Sequence, residues 1–227
     1  DRKGRDGFRR GVTEGDITPQ AMKFATFGML GLAAITGCAM LFIGGWWLLP
    51  VGICILLAAL AYSTGPYPLS HHGLGDITVV IFFGIVPVTL TYWLQTGEWA
   101  ELSAVVTTSI TVGLLAANVL IVNNYRDMDD DNTVGKRTTV VIFGRKVMGN
   151  AYLLSGILAM ALMIPLWLML PLWAMIVPAV YLLFHFQAWR RLVRNKGAAL
   201  NAVLGITARN LLIFSLILLA VLALCSL

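Results

Sequence analysis

The chain has 227 residues, of which 59% are hydrophobic and only 12% are charged. This composition excludes an ordinary soluble domain. It is typical of a polytopic helical membrane protein, because long unbroken apolar runs predict helices rather than the short alternating strands of a membrane barrel. The net charge of +5 is first a signal of membrane topology, and it predicts no nucleic-acid partner.

Seven apolar runs follow a polar N-terminal stretch, and each predicts a helix that spans the hydrocarbon core of a bilayer, which is roughly 30 Å thick. We therefore predict an all-α polytopic membrane protein whose residues 1–227 form a single transmembrane domain. The runs are residues 21–43, 46–62, 77–95, 102–122, 148–169, 171–189 and 206–226. Four prolines inside these runs predict kinks: Pro50, Pro87, Pro165 and Pro178.

Lysine and arginine residues fall on one side of the predicted bundle. All 16 lie in or next to the connections 1–20, 63–76, 123–147 and 190–205. The opposite connections hold only Glu98 and Glu101 among charged residues. The positive-inside rule then places the basic connections in the cytoplasm. We therefore predict an integral protein of a bacterial cytoplasmic membrane, with its polar connections facing the cytoplasm.

The basic connection 190–205 is predicted to lie at the membrane interface, and an amphipathic helix is one form that it could take there. Its charged residues are expected to anchor to lipid headgroups rather than to bind substrate: Arg190, Arg191, Arg194 and Lys196.

A run rich in carboxylates and amides follows the fourth apolar run. It reads Asn123-Asn124-Tyr125-Arg126-Asp127-Met128-Asp129-Asp130-Asp131, and Gly135-Lys136-Arg137-Thr138 comes shortly after it. If the helix continues through this run, Asn123, Asn124, Asp127 and Asp131 share one face. Such a patch of oxygens suits Mg²⁺, which takes a few carboxylates together with substrate phosphate oxygens.

We therefore predict Asn123, Asn124, Asp127 and Asp131 as metal ligands. The neighbouring cations are predicted to contact phosphates: Arg126, Lys136 and Arg137. The alternative is a solvated hydrophilic loop, and the four-residue spacing of Asp127 and Asp131 argues against it.

A second connection on the same side, residues 62–76, is dense in glycine and proline and predicts an ordered loop. Its Tyr62, Tyr67 and Asp76 are candidates for the mouth of a pocket. An interfacial aromatic belt would equally explain the tyrosines. Asp76 also fits the N-cap of the following helix.

In these segments the chain resembles the UbiA superfamily of intramembrane aromatic prenyltransferases. The similarity is closer to the branch that prenylates 1,4-dihydroxy-2-naphthoate in menaquinone synthesis. Three stretches carry it: Asn123 through Asp127 with Asp131 and Gly135 through Thr138; Tyr62 through Asp76 with Phe82, Phe83 and Gly84; and Arg9 through Gly11 with Gly15 through Thr18.

The resemblance implies transfer of a polyprenyl group from polyprenyl diphosphate to 1,4-dihydroxy-2-naphthoate, with loss of the carboxylate, giving demethylmenaquinone. Mg²⁺ held by Asp127 and Asp131 would assist ionisation of the diphosphate. Arg126 and Lys136 would stabilise the departing charge, and aromatic rings would shelter the allylic cation. Tyr62 and Tyr67 are the rings in question, and the predicted substrate-binding residues are Asn123, Asn124, Arg137, Arg10 and Asp76.

Members of this family have nine membrane helices, and two aspartate-rich motifs face each other across a central cavity. The second motif matches this chain, whereas the first, of the form N-D-x-x-D-x-x-x-D, does not occur in it. Asp1 stands where the first motif would end. We therefore expect a chain that lacks the first two of the nine helices. On its own, such a chain is expected to transfer no prenyl group.

Three alternatives compete with this interpretation of the sequence. A sister prenyltransferase would use another acceptor, such as 4-hydroxybenzoate or a precursor of haem or chlorophyll. A CDP-alcohol phosphotransferase would show Asp-x-x-Asp-Gly followed by Ala-Arg, which the chain lacks. A divalent-cation transporter, the non-enzymatic alternative, would place acids at mid-membrane depth within its spans.

Overall fold

A computed structural model of the chain describes residues 6–225. Asp1, placed above at the end of a motif, lies outside the described residues. Ten α-helices follow one another along the described part. They are α1 (Gly11–Glu14), α2 (Pro19–Gly44), α3 (Leu48–Ser63), α4 (Gly75–Val80), α5 (Val86–Thr96), α6 (Leu102–Thr133), α7 (Thr139–Leu162), α8 (Ile164–Met169), α9 (Ile176–Arg194) and α10 (Leu200–Cys225).

Six helical segments among the described residues are long and apolar enough to cross a membrane. They are Pro19–Gly44, Gly75–Thr96, Leu102–Thr133, Thr139–Met169, Leu172–Arg194 and Gly197–Cys225. The remaining predicted span is α3, which is apolar but has only 16 residues. The all-α polytopic membrane class is therefore confirmed, whereas the predicted count of seven spans is not.

Helix α6 lies at the centre of the bundle and packs against α4, α5, α7 and α10. Its 32 residues make it about 48 Å long at the helical rise per residue. This exceeds the hydrocarbon core of roughly 30 Å, so α6 extends beyond that core. The polar run from Asn123 onward forms its C-terminal turns, which explains why acidic residues occur in so apolar a helix.

The span Gly75–Thr96 crosses α6 at very close range. Between α4 and α5 it contains a π-helical segment, Ile81–Ile85. Within that segment, a Cβ atom added to Gly84 would lie 2.4 Å from Gly113 Cα and 2.4 Å from the carbonyl oxygen of Ser109. Such proximity of two backbones requires residues without side chains, a common device where membrane helices pack together.

Replacing Gly84 with alanine should therefore lower the thermal stability of the protein in detergent. Overpacking typically costs about 1–3 kcal/mol, and here the obstructing atoms are backbone atoms that cannot rotate away. Gly31→Ala on α2 is the matched control, because nothing lies within 4 Å of its added Cβ. Equal melting temperatures for the two variants would contradict the close crossing.

The four prolines expected to kink helices lie instead in first turns, near the starts of α3, α5, α8 and α9. Proline is tolerated there because an N–H in the first turn has no acceptor within its own helix. Two of the starts follow an irregularity, namely the π-helical segment before Pro87 and the break at Met163 before Pro165.

Residues 190–205 do not form one separate amphipathic helix, while their predicted place at the membrane interface stays a prediction. Helix α9 continues to Arg194, and α10 begins at Leu200 after a short 3₁₀ turn. Asn195 ends α9, since both its backbone and side-chain nitrogens donate to the Arg191 carbonyl. Arg191 and Arg194 lie in the last turn, where positive charge interacts favourably with the helix dipole.

Candidate active site

A cavity of about 490 Å³ opens at the C-terminal end of α6. It is bounded by the loop before α4, by the turn between α6 and α7, and by the N-terminal segment. Its lining includes Arg10, Tyr62, Asp76, Asn123, Asn124, Asp127, Asp130, Asp131, Lys136 and Thr139. Among the described residues that line it are four carboxylates and two cationic groups, a balance that suits a bound cation beside an anionic ligand.

Helix α6 continues unbroken to Thr133, as the spacing of its polar residues predicts. Asn123 and Asn124 therefore lie one turn before Asp127, and Asp131 lies one turn after it. All four side chains line the cavity. The structure thus brings together the complete set of predicted metal ligands.

Arg126 lies behind this face instead of in the cavity lining. Its Nε donates to Asp127 Oδ1 at 2.8 Å and its Nη2 to Asp127 Oδ2 at 2.9 Å. Nη2 also donates to Asn123 Oδ1 at 2.7 Å. The side chains of Arg126 and Asp127 are 2% and 3% exposed, so this is a buried bidentate ion pair.

Lys136 is the cation that reaches the cavity from the turn after α6. Its Nζ lies 3.1 Å from Asp131 Oδ2, and both side chains are partly accessible. The backbone N–H of Lys136 donates to the Asp131 carbonyl at 2.8 Å. The turn is therefore folded back onto the end of α6, which places an ammonium group beside the second carboxylate.

The donor set fits Mg²⁺ when a phosphate is present. Within residues 6–225, no group of three or more His, Cys, Asp or Glu side chains is arranged to hold a metal ion by itself. Mg²⁺ usually takes one or two protein carboxylates and completes its shell with water and substrate phosphate oxygens. Asp127 and Asp131, with the amide oxygens of Asn123 and Asn124, match that requirement.

Asp76 lines the cavity but does not cap a helix, so the N-cap interpretation is wrong. Helix α4 begins at Gly75 with Leu74 in the N-cap position, and Asp76 lies in the first turn. Its Oδ2 accepts a hydrogen bond from the Thr139 hydroxyl at 2.5 Å. Its Oδ1 is buried and has no hydrogen-bond partner among the described residues, as an oxygen available to a ligand would be.

Two further predicted residues lie outside the cavity lining. Tyr67 is 58% exposed and stacks on His72 at a ring-centroid distance of 3.5 Å. Arg137 is exposed, and its backbone N–H donates to the His71 carbonyl at 3.0 Å, which pairs the two connections at the rim. Arg10 and Tyr62, in contrast, line the cavity.

Three residues that contribute to the site were not singled out from the sequence. Asp130 lines the cavity from the end of α6, Thr139 bonds Asp76, and Asn201 at the start of α10 accepts from Arg126 Nη1 at 2.8 Å. Asp130 could have been found from its position in the acidic run. The other two contacts are long-range: the partners are separated by 63 positions in one contact and by 75 positions in the other. No local sequence pattern marks either contact.

An apolar groove of about 930 Å³ adjoins the cavity. Both are lined by Tyr62, Leu120 and Asn123, so the polar and apolar surfaces are continuous. The groove runs along α3, the π-helical segment and α6, and its lining includes Phe82 and Phe83. A ligand with an anionic head and a long apolar tail would find a matching surface for each part.

The fold is that of a helical membrane protein, and its candidate site joins a polar cavity to an apolar groove. The UbiA prenyltransferase family model matches residues 1–211, and the chain belongs to this family. Prenyltransferases of this family generally use a divalent metal.

Curated relatives agree with this assignment. The 1,4-dihydroxy-2-naphthoate octaprenyltransferase of Escherichia coli is 37% identical over 150 residues, which are 63% of this chain and 48% of that protein. The Haemophilus influenzae protein of the same name is 34% identical over 63% of this chain and 48% of its own length. That of Mycobacterium tuberculosis is 31% identical over 65% of this chain and 51% of its own length. The chain spans about half the length of these relatives, and no solved structure matches it significantly.

Proposed function

We propose that the chain takes part in transferring a polyprenyl group from polyprenyl diphosphate to 1,4-dihydroxy-2-naphthoate, with release of diphosphate and carbon dioxide, giving the quinol form of demethylmenaquinone. The observation that carries the proposal is the continuity between the cavity beside Asp127 and Asp131 and the apolar groove. A diphosphate group fits the polar cavity, and a prenyl tail fits the apolar groove. The naphthoate acceptor is supported by relatives in three bacteria that are named 1,4-dihydroxy-2-naphthoate octaprenyltransferase.

In this proposal Asp127 and Asp131, with Asn123 and Asn124, hold Mg²⁺. When bound, the metal neutralises diphosphate oxygens and makes the diphosphate a better leaving group. Lys136 and Arg10 line the same cavity and supply positive charge to the phosphates as the C–O bond breaks. Fixed positive groups are effective there because they need no reorganisation during the reaction.

Tyr62 occupies the junction of the cavity and the groove, where the reacting carbon of a bound prenyl diphosphate would lie. Its ring offers a π face to an allylic cation, and the apolar groove keeps water away from that cation. Tyr67 lies outside both surfaces, so we assign the sheltering role to Tyr62 alone.

Binding of farnesyl diphosphate tests the proposal. We expect the 227-residue chain in lipid nanodiscs to bind it in the presence of Mg²⁺ and to release it when EDTA is added, as measured by isothermal titration calorimetry. Glu98→Gln, on the connection at the opposite end of the bundle, is the control and should bind normally. Equal affinity with and without EDTA would contradict a metal-assisted diphosphate site.

The proposed site faces the cytoplasm of a bacterium, an orientation supported by the positions of lysine and arginine. In a variant whose exposed Cys38, Cys54 and Cys225 are replaced, single cysteines at Ser70 and Asn132 should resist an impermeant thiol reagent added outside. A cysteine at Gly97, at the other end of the span Gly75–Thr96, should react. The reverse labelling pattern would place the site in the wrong compartment for this function.

A further inference from the structure

Arg126 has almost all its hydrogen-bonding capacity engaged within the protein. A guanidinium carries five N–H donors, and the structure gives four hydrogen bonds from Arg126: two to Asp127, one to Asn123 and one to Asn201. The whole residue is 4% exposed, and the ring of Phe8 lies 5.9 Å from its central carbon. A buried guanidinium with these partners is placed to orient protein groups rather than to receive a phosphate.

Asn201 is the partner that ties this guanidinium to the rest of the bundle. It lies in the first turn of α10, whereas Arg126, Asn123 and Asp127 all belong to α6. Its Oδ1 accepts from Arg126 Nη1 at 2.8 Å, and its Nδ2 donates to the carbonyl of Asp6 at 3.0 Å. The amide therefore links α6 to α10 and to the N-terminal segment.

We propose that Asn201 is a positioning residue of the metal site: it fixes Arg126, and Arg126 fixes both oxygens of Asp127 in the orientation that a divalent cation needs. The inference rests on the proposed function, in which Asp127 is a metal ligand. Each carboxylate oxygen has two lone pairs, and the bidentate pair with Arg126 occupies one lone pair on each oxygen of Asp127. Partners that orient a metal ligand in this way typically change metal affinity about 10- to 100-fold when they are removed.

Binding of Mn²⁺, a paramagnetic substitute for Mg²⁺, tests this role directly. The 227-residue chain in nanodiscs is titrated in the presence of inorganic diphosphate, and free Mn²⁺ is measured by electron paramagnetic resonance. Asn201→Leu removes the oxygen that holds Arg126, so its Mn²⁺ affinity should fall about 10- to 100-fold. Ala202→Leu places the same side chain at the next, exposed position of α10 and should bind as the unsubstituted chain does.

Asn201→Asp separates the two contacts of the amide. It keeps an oxygen for Arg126 but loses the donor to Asp6, so its Mn²⁺ affinity should stay close to that of the unsubstituted chain. If Asn201→Leu fails to fold, normal Mn²⁺ affinity in Asn201→Asp still supports the proposal, because this variant keeps the oxygen that accepts from Arg126. Thermal unfolding of each variant distinguishes a loss of metal affinity from a loss of the fold.

Unchanged Mn²⁺ affinity in folded Asn201→Leu overturns the positioning role and leaves the proposed function intact. Equal losses in the leucine and aspartate variants also overturn it, because the contact with Asp6 would then be the one that matters. If the unsubstituted chain binds no Mn²⁺ with diphosphate, the metal assignment of the proposed function fails together with this inference.

Discussion

The substitution Asp127→Asn or Asp131→Asn should lower the rate of prenyl transfer by orders of magnitude. It should also raise the Mg²⁺ concentration that half-maximal turnover requires. The substitution keeps the shape of each side chain and removes the negative charge that Mg²⁺ needs. Loss of a group that merely orients a metal ligand costs about 10- to 100-fold, so loss of a ligand itself should cost more. Because the chain spans about half the length of its relatives, turnover is measured with this chain alone and joined to the N-terminal segment of the E. coli relative.

Asp129→Asn is the matched control for this experiment. Asp129 lies on α6 between the two sites of substitution, but its side chain is 81% exposed and pairs with Arg145 at the surface. Exposed ion pairs contribute little, so turnover should stay near normal. Near-normal turnover and Mg²⁺ response in both Asp127→Asn and Asp131→Asn would show that these carboxylates are not the metal ligands.

Among single substitutions at the site, Arg126→Leu should cause the largest loss of protein stability. It would leave the Asp127 carboxylate, whose side chain is 3% exposed, without its bidentate cationic partner. Breaking a buried ion pair from one side typically costs about 3–5 kcal/mol, because the remaining charge is desolvated and uncompensated. The melting temperature in detergent should fall accordingly.

The double variant Arg126→Leu with Asp127→Leu completes this experiment. It removes both charges, so it should be more stable than Arg126→Leu alone, and the difference measures the coupling between the two groups. Lys136→Leu is the comparison at a partly exposed pair and should cost much less. A normal melting temperature for Arg126→Leu would contradict the buried ion pair.

The sequence was most informative where the site depends on local geometry. Asp127 and Asp131 lie four residues apart and follow an unbroken apolar run, so a continuous helix was enough to bring them into one cavity. Sequence reasoning was less accurate for the secondary structure of residues 123–147, which were predicted as one polar connection. Most of that stretch is helical because α6 continues past the membrane core and α7 begins at Thr139.

The contacts that the sequence did not reveal are long-range or depend on the direction of a side chain. Thr139 reaches Asp76, and Asn201 reaches Arg126, only because four different helices meet at the same end of the bundle. Arg126 is adjacent to Asp127 in the chain, which suggested a phosphate contact, but its side chain lies behind the cavity lining. Helical periodicity places residues on faces and does not show which neighbour each face will meet.

The most direct test of the proposed function is the identity of the prenylated product. Membranes containing the chain joined to the N-terminal segment of the E. coli relative are given radiolabelled farnesyl diphosphate, Mg²⁺ and a panel of aromatic acceptors. We expect a labelled lipid-soluble product with 1,4-dihydroxy-2-naphthoate, and none when EDTA is present or when Asp127 and Asp131 are both replaced by asparagine. Product formed with 4-hydroxybenzoate instead, or product from 1,4-dihydroxy-2-naphthoate that survives the double substitution, would contradict it.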